Sequence, residues 1–165
     1  MNAIIIFCAN YLVIFVVITI VVAWILAKKD VKLRFLAQII LAGAIAYGLA
    51  KIAAALHYDP RPFVAEHIQP LITHAPDNGF PSDHALFTAT LTATAFFFNR
   101  KIAWAMLAMT DLVGIARILA LVHSPLDIAA GWVLGTIGAI VAYFVVRWAF
   151  AFFGRKKNLH EPLDA

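Results

Sequence analysis

The sequence predicts an all-α membrane bundle of about five transmembrane helices, and three observations carry that prediction. Hydrophobic residues make up 64% of the 165 and charged residues only 13%, far outside the range of water-soluble domains. The apolar residues gather in runs long enough to cross a hydrocarbon core of about 30 Å at roughly 1.5 Å per residue. Short basic segments separate the runs and fall on alternate turns. The length fits one membrane-embedded domain over residues 1–165, and no repeat, low-complexity tract or linker divides it.

Composition also excludes some function classes. The net charge of +4 reads as flank charge that sets topology, since no basic cluster is interleaved with a reading surface, so nucleic acid is not an expected partner. The single cysteine, Cys8, sits in the first apolar run, where it can form neither an internal disulfide nor a thiolate metal site. Met1-Asn2-Ala3 lacks the basic start of a cleavable signal, so the first segment is expected to stay as an anchor.

Ala3 to Ala27 is a run of 25 residues without a charge and predicts the first helix. Lys28 to Arg34 reads as a basic turn, and Phe35 to Leu56 predicts the second helix, with Lys51 near its far end. His57 to Ser82 holds five of the seven prolines together with Asp59, Glu66, His67, His74 and Asp77, and predicts a long polar loop of functional kind. A third helix should begin near Ser82. Its apolar part, Ala85 to Phe98, is only 14 residues and carries Thr88, Thr90, Thr92 and Thr94, whose hydroxyls are expected to bond back to their own helix. The shortness places His84 near the head-group plane. Ile102 to Val122 predicts the fourth helix, with Asp111 near mid-membrane in need of neutrality or a partner. Ser124 as N-cap and Pro125 in the first turn open the fifth, which should run to about Val146 or on to Phe153. Gly131 and Gly135 form a Gly-x-x-x-Gly pair that admits close approach of another helix, and the segment from Gly154 onward reads as solvated tail.

Five spans put the termini on opposite sides. Ten of the thirteen Lys and Arg then fall on one side, which predicts a cytoplasmic C-terminus, an N-terminus outside and location in the plasma membrane. The other three, Lys51, Arg61 and Arg117, break that rule together, beside histidines and prolines on the outer side.

An ionisable residue in or at the rim of an apolar segment is costly unless paired or facing a wet cavity, and therefore marks function. Arg117, His123 and Asp127 interrupt one such run, and Arg61 and the Ser82-Asp83-His84 cluster flank the polar loop. Phosphoryl transfer needs cations or N–H donors around the equatorial oxygens, an in-line nucleophile and an acid for the leaving oxygen. Arg61 and Arg117 can each grip phosphate bidentately, Lys51 adds a point charge, and the Ser82 hydroxyl and the following helix N-terminus add donors. His123 and His84 divide the remaining work, one as nucleophile oriented through Asp127 and the other as general acid. These cations supply the charge a metal would bring, so neither metal nor other cofactor is expected. Each residue also has a bland reading. Asp127 completes a Ser-x-x-Asp capping box with Ser124, Arg117 can snorkel, and His84 can be an interfacial polar residue. His57, His67, His74 and His160 read as loop or tail residues, with His74 bordering the site.

Arg117-x5-His123-x3-Asp127, Pro81-Ser82-Asp83-His84 and Arg61-Pro62 resemble the three signature motifs of the type 2 phosphatidic acid phosphatase and vanadium haloperoxidase superfamily. The stretch from Ile72 to His84 further resembles the bacitracin-resistance branch, the undecaprenyl-diphosphate phosphatases. The resemblance implies that His123 attacks phosphorus, Asp127 orients it, His84 protonates the leaving group, and Arg61, Ser82 and Arg117 bind phosphate. The implied reaction removes the terminal phosphate of a polyprenyl diphosphate through a phosphohistidine. Three positions depart from the motifs: Ala54 stands where the superfamily has lysine, with Lys51 three residues earlier, Asp83 stands where glycine is common, and Ala116 where serine is common. Rival readings change the lipid to phosphatidylglycerophosphate, phosphatidate or a lipid A phosphate, or turn the histidines and carboxylates into the pathway of a small transporter or the remnant of an inactive scaffold.

Overall fold

The computed structural model describes residues 2–158, with side chains to Phe152; His160 and the end of the tail lie outside them. Every regular element among these residues is helical: α1 (Asn2–Asn10), α2 (Leu12–Leu26), α3 (Lys29–Leu56), α4 (Pro62–Ala65), α5 (Asp83–Phe96), α6 (Arg100–Leu119) and α7 (Pro125–Asn158). Three of them, α3, α6 and α7, are long and apolar enough to cross a membrane, and α1 with α2 makes a fourth span if the bent pair is counted as one. The chain is a multi-pass membrane protein. Helix α5, at 14 residues, is shorter than these spans and is surrounded by α2, α3, α6 and α7.

The expected first helix is broken. α1 and α2 meet at Tyr11 with a bend of 43°, although neither proline nor glycine stands there. A side chain inserted into the helical hydrogen-bond ladder accounts for the kink: the Ala9 carbonyl, which Val13 would reach in a continuous helix, accepts from Arg117 Nη1 at 3.4 Å. The second helix begins earlier than expected. Lys29 to Arg34 forms the first turns of α3, with Asp30 in its first turn, where a carboxylate complements the helix dipole. The polar loop is not wholly irregular, since Arg61-Pro62 starts the single turn of α4 with proline at N1.

Helix α6 stops at Leu119, three residues short of expectation, because the chain turns through a left-handed Leu121 (φ 64°). Val122 N–H donates to Arg117 O (3.3 Å) and Leu121 N–H to Ile118 O (2.9 Å), the two bonds of a Schellman close. Leucine takes the position usually held by glycine, at a conformational cost of about 1–2 kcal/mol. Helix α7 continues past Val146 to Asn158, so the start of the predicted tail is helical; the side chains of Arg155, Lys156 and Lys157 lie outside the described ones.

The Gly131/Gly135 expectation is met on α5. A Cβ on Gly131 would stand 2.8 Å from Ser82 O and 2.9 Å from Leu86 N, and one on Gly135 would stand 2.5 Å from Leu86 O. Backbone meets backbone there. Gly138 does the same against Ala42 and Ala46 of α3, so one glycine face of α7 gathers both neighbours. The threonines of α5 behave less uniformly than expected. Thr88 and Thr90 bond back to His84 O and Leu86 O, but Thr92 pairs with Thr110 of α6 at 2.8 Å. Asp111 is half-buried, and its carboxylate has no hydrogen bond or ion pair among the described residues. Cys8 packs beside the buried cluster of Ala9, Ile72, Ala116, Ala120 and Val122.

Candidate active site

The three polar segments singled out in the sequence converge at one end of the bundle around a cavity of about 360 Å³. Its wall includes Lys51 from the end of α3, Arg61 and His74 from the long loop, His84 from the first turn of α5, Arg117 from the last turn of α6 and His123 from the α6–α7 turn. Ser82 and Asp127 are fully buried behind that wall. All seven proposed site residues therefore lie in or against one space.

The α6–α7 turn holds His123 and Asp127 through a reciprocal capping box. Ser124 N–H donates to Asp127 Oδ2 (2.8 Å), and Asp127 N–H donates to Ser124 Oγ (3.2 Å). The same Oδ2 lies 3.2 Å from His123 Nδ1, so the capping reading and the orienting reading are both satisfied by one carboxylate. With Nδ1–H directed at Asp127, the free lone pair of a neutral ring is on Nε2. Asp127 O in turn accepts from Ser82 N–H at 3.1 Å, which ties the start of α7 to the start of α5.

The two arginines are both buried and differ in how fully they are engaged. Arg61 Nε pairs with Asp77 Oδ1 at 2.8 Å, its Nη1 donates to Val122 O at 2.7 Å, and Nη1 lies 3.2 Å from His123 Nε2. A group bound to that nitrogen would have Arg61 alongside it. Among the described residues, the Arg117 side chain has only the long bond to Ala9 O, and its Nε is buried without a partner. Ser82 Oγ is likewise buried and unpartnered. Such donors are costly when left unmet, so they mark where an acceptor belongs. Lys51 is exposed at the rim, with its ammonium 4.9 Å from the Tyr47 ring.

Burial pushes the His123 imidazole below its ordinary pKa of 6.5, and Arg61 and Arg117 push the same way; the Asp127 hydrogen bond and charge oppose them. The ring is thus kept neutral. His74 is lowered first by burial and then by Arg61, and its ring stands 6.0 Å from that of His123, edge-on. His84 makes no side-chain hydrogen bond among the described residues and faces the cavity.

Several supporting residues were not singled out from sequence. Asn78 is the hub of the loop: its Oδ1 accepts from Asp59 and Phe80 N–H, and its Nδ2 donates to Ala54 O and His57 O. Asp59 Oδ2 accepts from Ser124 Oγ at 2.8 Å. Gly79 is there because a Cβ would stand 2.8 Å from Asp127 Oδ2 and 3.2 Å from Asp59 O. The Asp77-Asn78-Gly79 run was a readable turn signal, but its partners lie across the fold.

The arrangement pairs a neutral imidazole with an orienting carboxylate and adds a second histidine and unmet cationic donors, a set suited to an anionic electrophile. Comparison with known proteins agrees. The PAP2 superfamily model matches residues 31–151. The chain is 32% identical to the bacitracin transport permease protein BcrC of Bacillus licheniformis, over 99% of this chain and 80% of that one. It is 28% identical to undecaprenyl-diphosphatase BcrC of Bacillus subtilis, over 91% and 73%. Aquifex aeolicus LpxE shares the fold, with a TM-score of 0.62 over 81% of this chain and 86% of that chain at 21% identity. Since the matched span takes in the entire cavity wall, and one relative aligns over nearly the whole chain, the protein belongs to the PAP2 superfamily.

Proposed function

We propose that this chain is a single-domain membrane phosphatase that hydrolyses a polyprenyl diphosphate of the undecaprenyl type to the monophosphate and inorganic phosphate. The observation that carries the reading is the placement of His123, oriented by Asp127, beside two buried arginines, one of which has its Nε unmet among the described residues. His123 Nε2 attacks the terminal phosphorus, and the bond from phosphorus to the bridging oxygen breaks. His84 gives that oxygen its proton, which leaves a phosphohistidine and the lipid monophosphate. Water, deprotonated by His84, then attacks phosphorus and releases phosphate and free His123. Arg61, Arg117 and Ser82 hold the equatorial oxygens, and Lys51 at the rim meets the second phosphate. The name of the Bacillus subtilis relative supports this substrate.

A transport reading follows the name of the Bacillus licheniformis relative. The site favours hydrolysis, because its histidines and arginines gather at one end of the helices and do not form a path along them. A cavity of about 360 Å³ suits a phosphorylated head group and leaves the polyprenyl chain to the hydrocarbon.

The test is phosphate release by purified protein from a panel of undecaprenyl diphosphate, phosphatidylglycerophosphate, phosphatidate and a lipid A phosphate. Undecaprenyl diphosphate should be turned over fastest and in the presence of strong chelators, since arginines provide the charge. Preference for another lipid would overturn the substrate assignment, and loss in chelator restored by a divalent ion would overturn the mechanism.

The basic flanks support a site facing outside the plasma membrane and a cytoplasmic C-terminus. In a Cys8→Ala background, a cysteine at Asn158 should resist an impermeant thiol reagent in intact cells, and one at Glu66 in the exposed loop should react. The reverse pattern refutes the orientation.

A further inference from the structure

A second and larger cavity, of about 720 Å³, lies at the other end of the bundle. It is lined where α2 meets α3, where α5 meets α6, and on α7 by Tyr143, Val146 and Arg147, beyond its glycine face. Along α3 it lies 13 residues from the catalytic cavity (Gln38 to Lys51), about 20 Å at the helical rise, so the two are distinct.

The lining has two characters. Lys28, Arg34 and Arg147 give it three cations, and no Asp or Glu lines it among the described residues. Leu26, Phe35, Phe98 and Val146 supply an apolar wall. Gln38 on that wall is the decisive residue. It is 1% exposed, and its Nε2 has no hydrogen-bond partner among the described residues, a buried donor of the kind that folded proteins seldom leave unmet. The cations are only lightly engaged: Arg147 Nη1 donates to Tyr143 Oη at 3.3 Å, Arg34 stacks 5.3 Å from the Phe150 ring, and Lys28 is exposed.

We propose that this cavity is a binding site for an anionic phospholipid, separate from the substrate site. The head-group phosphate meets Arg34, Arg147 and Lys28, an ester or phosphate oxygen accepts from Gln38 Nε2, and an acyl chain lies along the phenylalanines. An orphan donor needs an acceptor, three cations need an anion, and an apolar wall at the end of a membrane bundle is covered by lipid chains. One amphiphile meets all three demands. A soluble anion meets the first two and leaves the wall unexplained.

The test is native mass spectrometry of the full-length protein in detergent, loaded with phosphatidylglycerol or with phosphatidylcholine of equal chain length. At an activation that strips annular lipid, the wild type should retain phosphatidylglycerol about tenfold more than phosphatidylcholine, the scale expected of a few interfacial cations. Arg34→Gln/Arg147→Gln should bring the two lipids to near equality, and Arg34→Lys/Arg147→Lys should keep the preference. Gln38→Leu, which keeps the volume and removes the donor, should lower retention several-fold. Phosphatase turnover of each variant reports that it is folded, and should a Gln38 variant not fold, the arginine pair carries the test. The proposal is overturned if the double glutamine variant retains phosphatidylglycerol like the wild type. It is equally overturned if inorganic phosphate alone raises the melting temperature as much as the lipid does and that rise is lost in Arg34→Gln/Arg147→Gln, which would assign the cavity to a soluble anion; phosphate held at the catalytic cavity raises both proteins alike.

Discussion

The two ends of the bundle hold similar chemistry in opposite states of constraint. At the catalytic end, Arg61 is fixed by Asp77 and Val122, His123 by Asp127, Asp127 by Ser124, and Ser124 by Asp59. Bonds within the α6–α7 turn fix its own residues, and Arg61 to Val122 O and Ser124 to Asp59 lock that turn to the long loop, so the constellation is set before a substrate arrives. At the far end, Arg147 has an intrahelical hydroxyl and Arg34 a ring for company, and Nε2 of the buried Gln38 has no partner among the described residues. Reaction geometry tolerates little freedom, whereas lipid adhesion tolerates a good deal. The same residue types therefore serve different work according to how firmly the surrounding chain holds them.

The largest effect should come from breaking the constrained end at its centre. His123→Ala removes the attacking nitrogen, and turnover should fall by about 10⁴-fold or more while α-helical content and melting temperature stay close to wild type. Substantial remaining turnover would mean that another group forms the bond. Phosphatidylglycerol retention at the far cavity should be unchanged, which keeps the two ends separate.

Asp127→Asn tests the constraint more finely. The amide can still cap Ser124, but it loses the charge that favours the productive ring tautomer, and turnover should fall by about 10²–10⁴-fold. The pH profile gives a sign. Asp127 raises the His123 pKa against burial and the two arginines, so its loss lets that value fall further. Neutral imidazole then persists to lower pH, and the acid limb of the profile should move down. A limb that moves up would show that Asp127 does not face the titrating ring.

Between the ends, the glycine face of α7 sets how closely α5 can lie. Gly135→Val would push a branched side chain onto Leu86 O, where a Cβ alone stands at 2.5 Å. Backbone cannot give way as a side chain can, so destabilisation of about 1–3 kcal/mol is expected, read as a lower melting temperature in detergent. His84 and Ser82 start the helix that would be displaced, and turnover should fall with it.

These comparisons also indicate what could be read from sequence. The membrane class, the helix order, the Gly131/Gly135 contact and the gathering of Arg61, Ser82, His84, Arg117, His123 and Asp127 were legible because each rests on local pattern or motif spacing. The kink at Tyr11 was not, since its cause is Arg117, 106 residues away, reaching the Ala9 carbonyl. The early end of α6 was also hidden, because Leu121 takes a left-handed conformation that its residue type disfavours. Thr92 pairs across helices, and Asn78 braces the loop through backbone of α3. The kink, the Thr92 pair and the Asn78 brace depend on partners distant in the chain, and the turn at Leu121 on a conformation its residue type does not announce. The far cavity belongs with them, since no motif marks Lys28, Gln38 and Arg147 as neighbours.

The smallest effect is expected at the one brace of the catalytic end that faces water. Asp77 is 62% exposed in its side chain, whereas Arg61, its partner at 2.8 Å, is 6% exposed. The hydrogen bond from Arg61 holds the Asp77 carboxyl below the usual aspartate range. A carboxylate with a depressed pKa contributes stability that is fully present above the unfolded-state value and is lost as pH falls through the folded one. Solvent screens the pair, so Asp77→Asn should cost about 0.2–1 kcal/mol at neutral pH. Arg61 keeps Val122 O and its place beside His123, and turnover should fall by less than about tenfold, within the range of 1.4 kcal/mol. The measurement is the melting temperature of both proteins from neutral pH down into the acid range. The gap between them should close once Asp77 of the wild type is protonated. A gap that persists at low pH would mean that Asp77 supports the loop by packing and not by charge, and would remove it from the set of electrostatic braces that distinguishes this end of the molecule from the other.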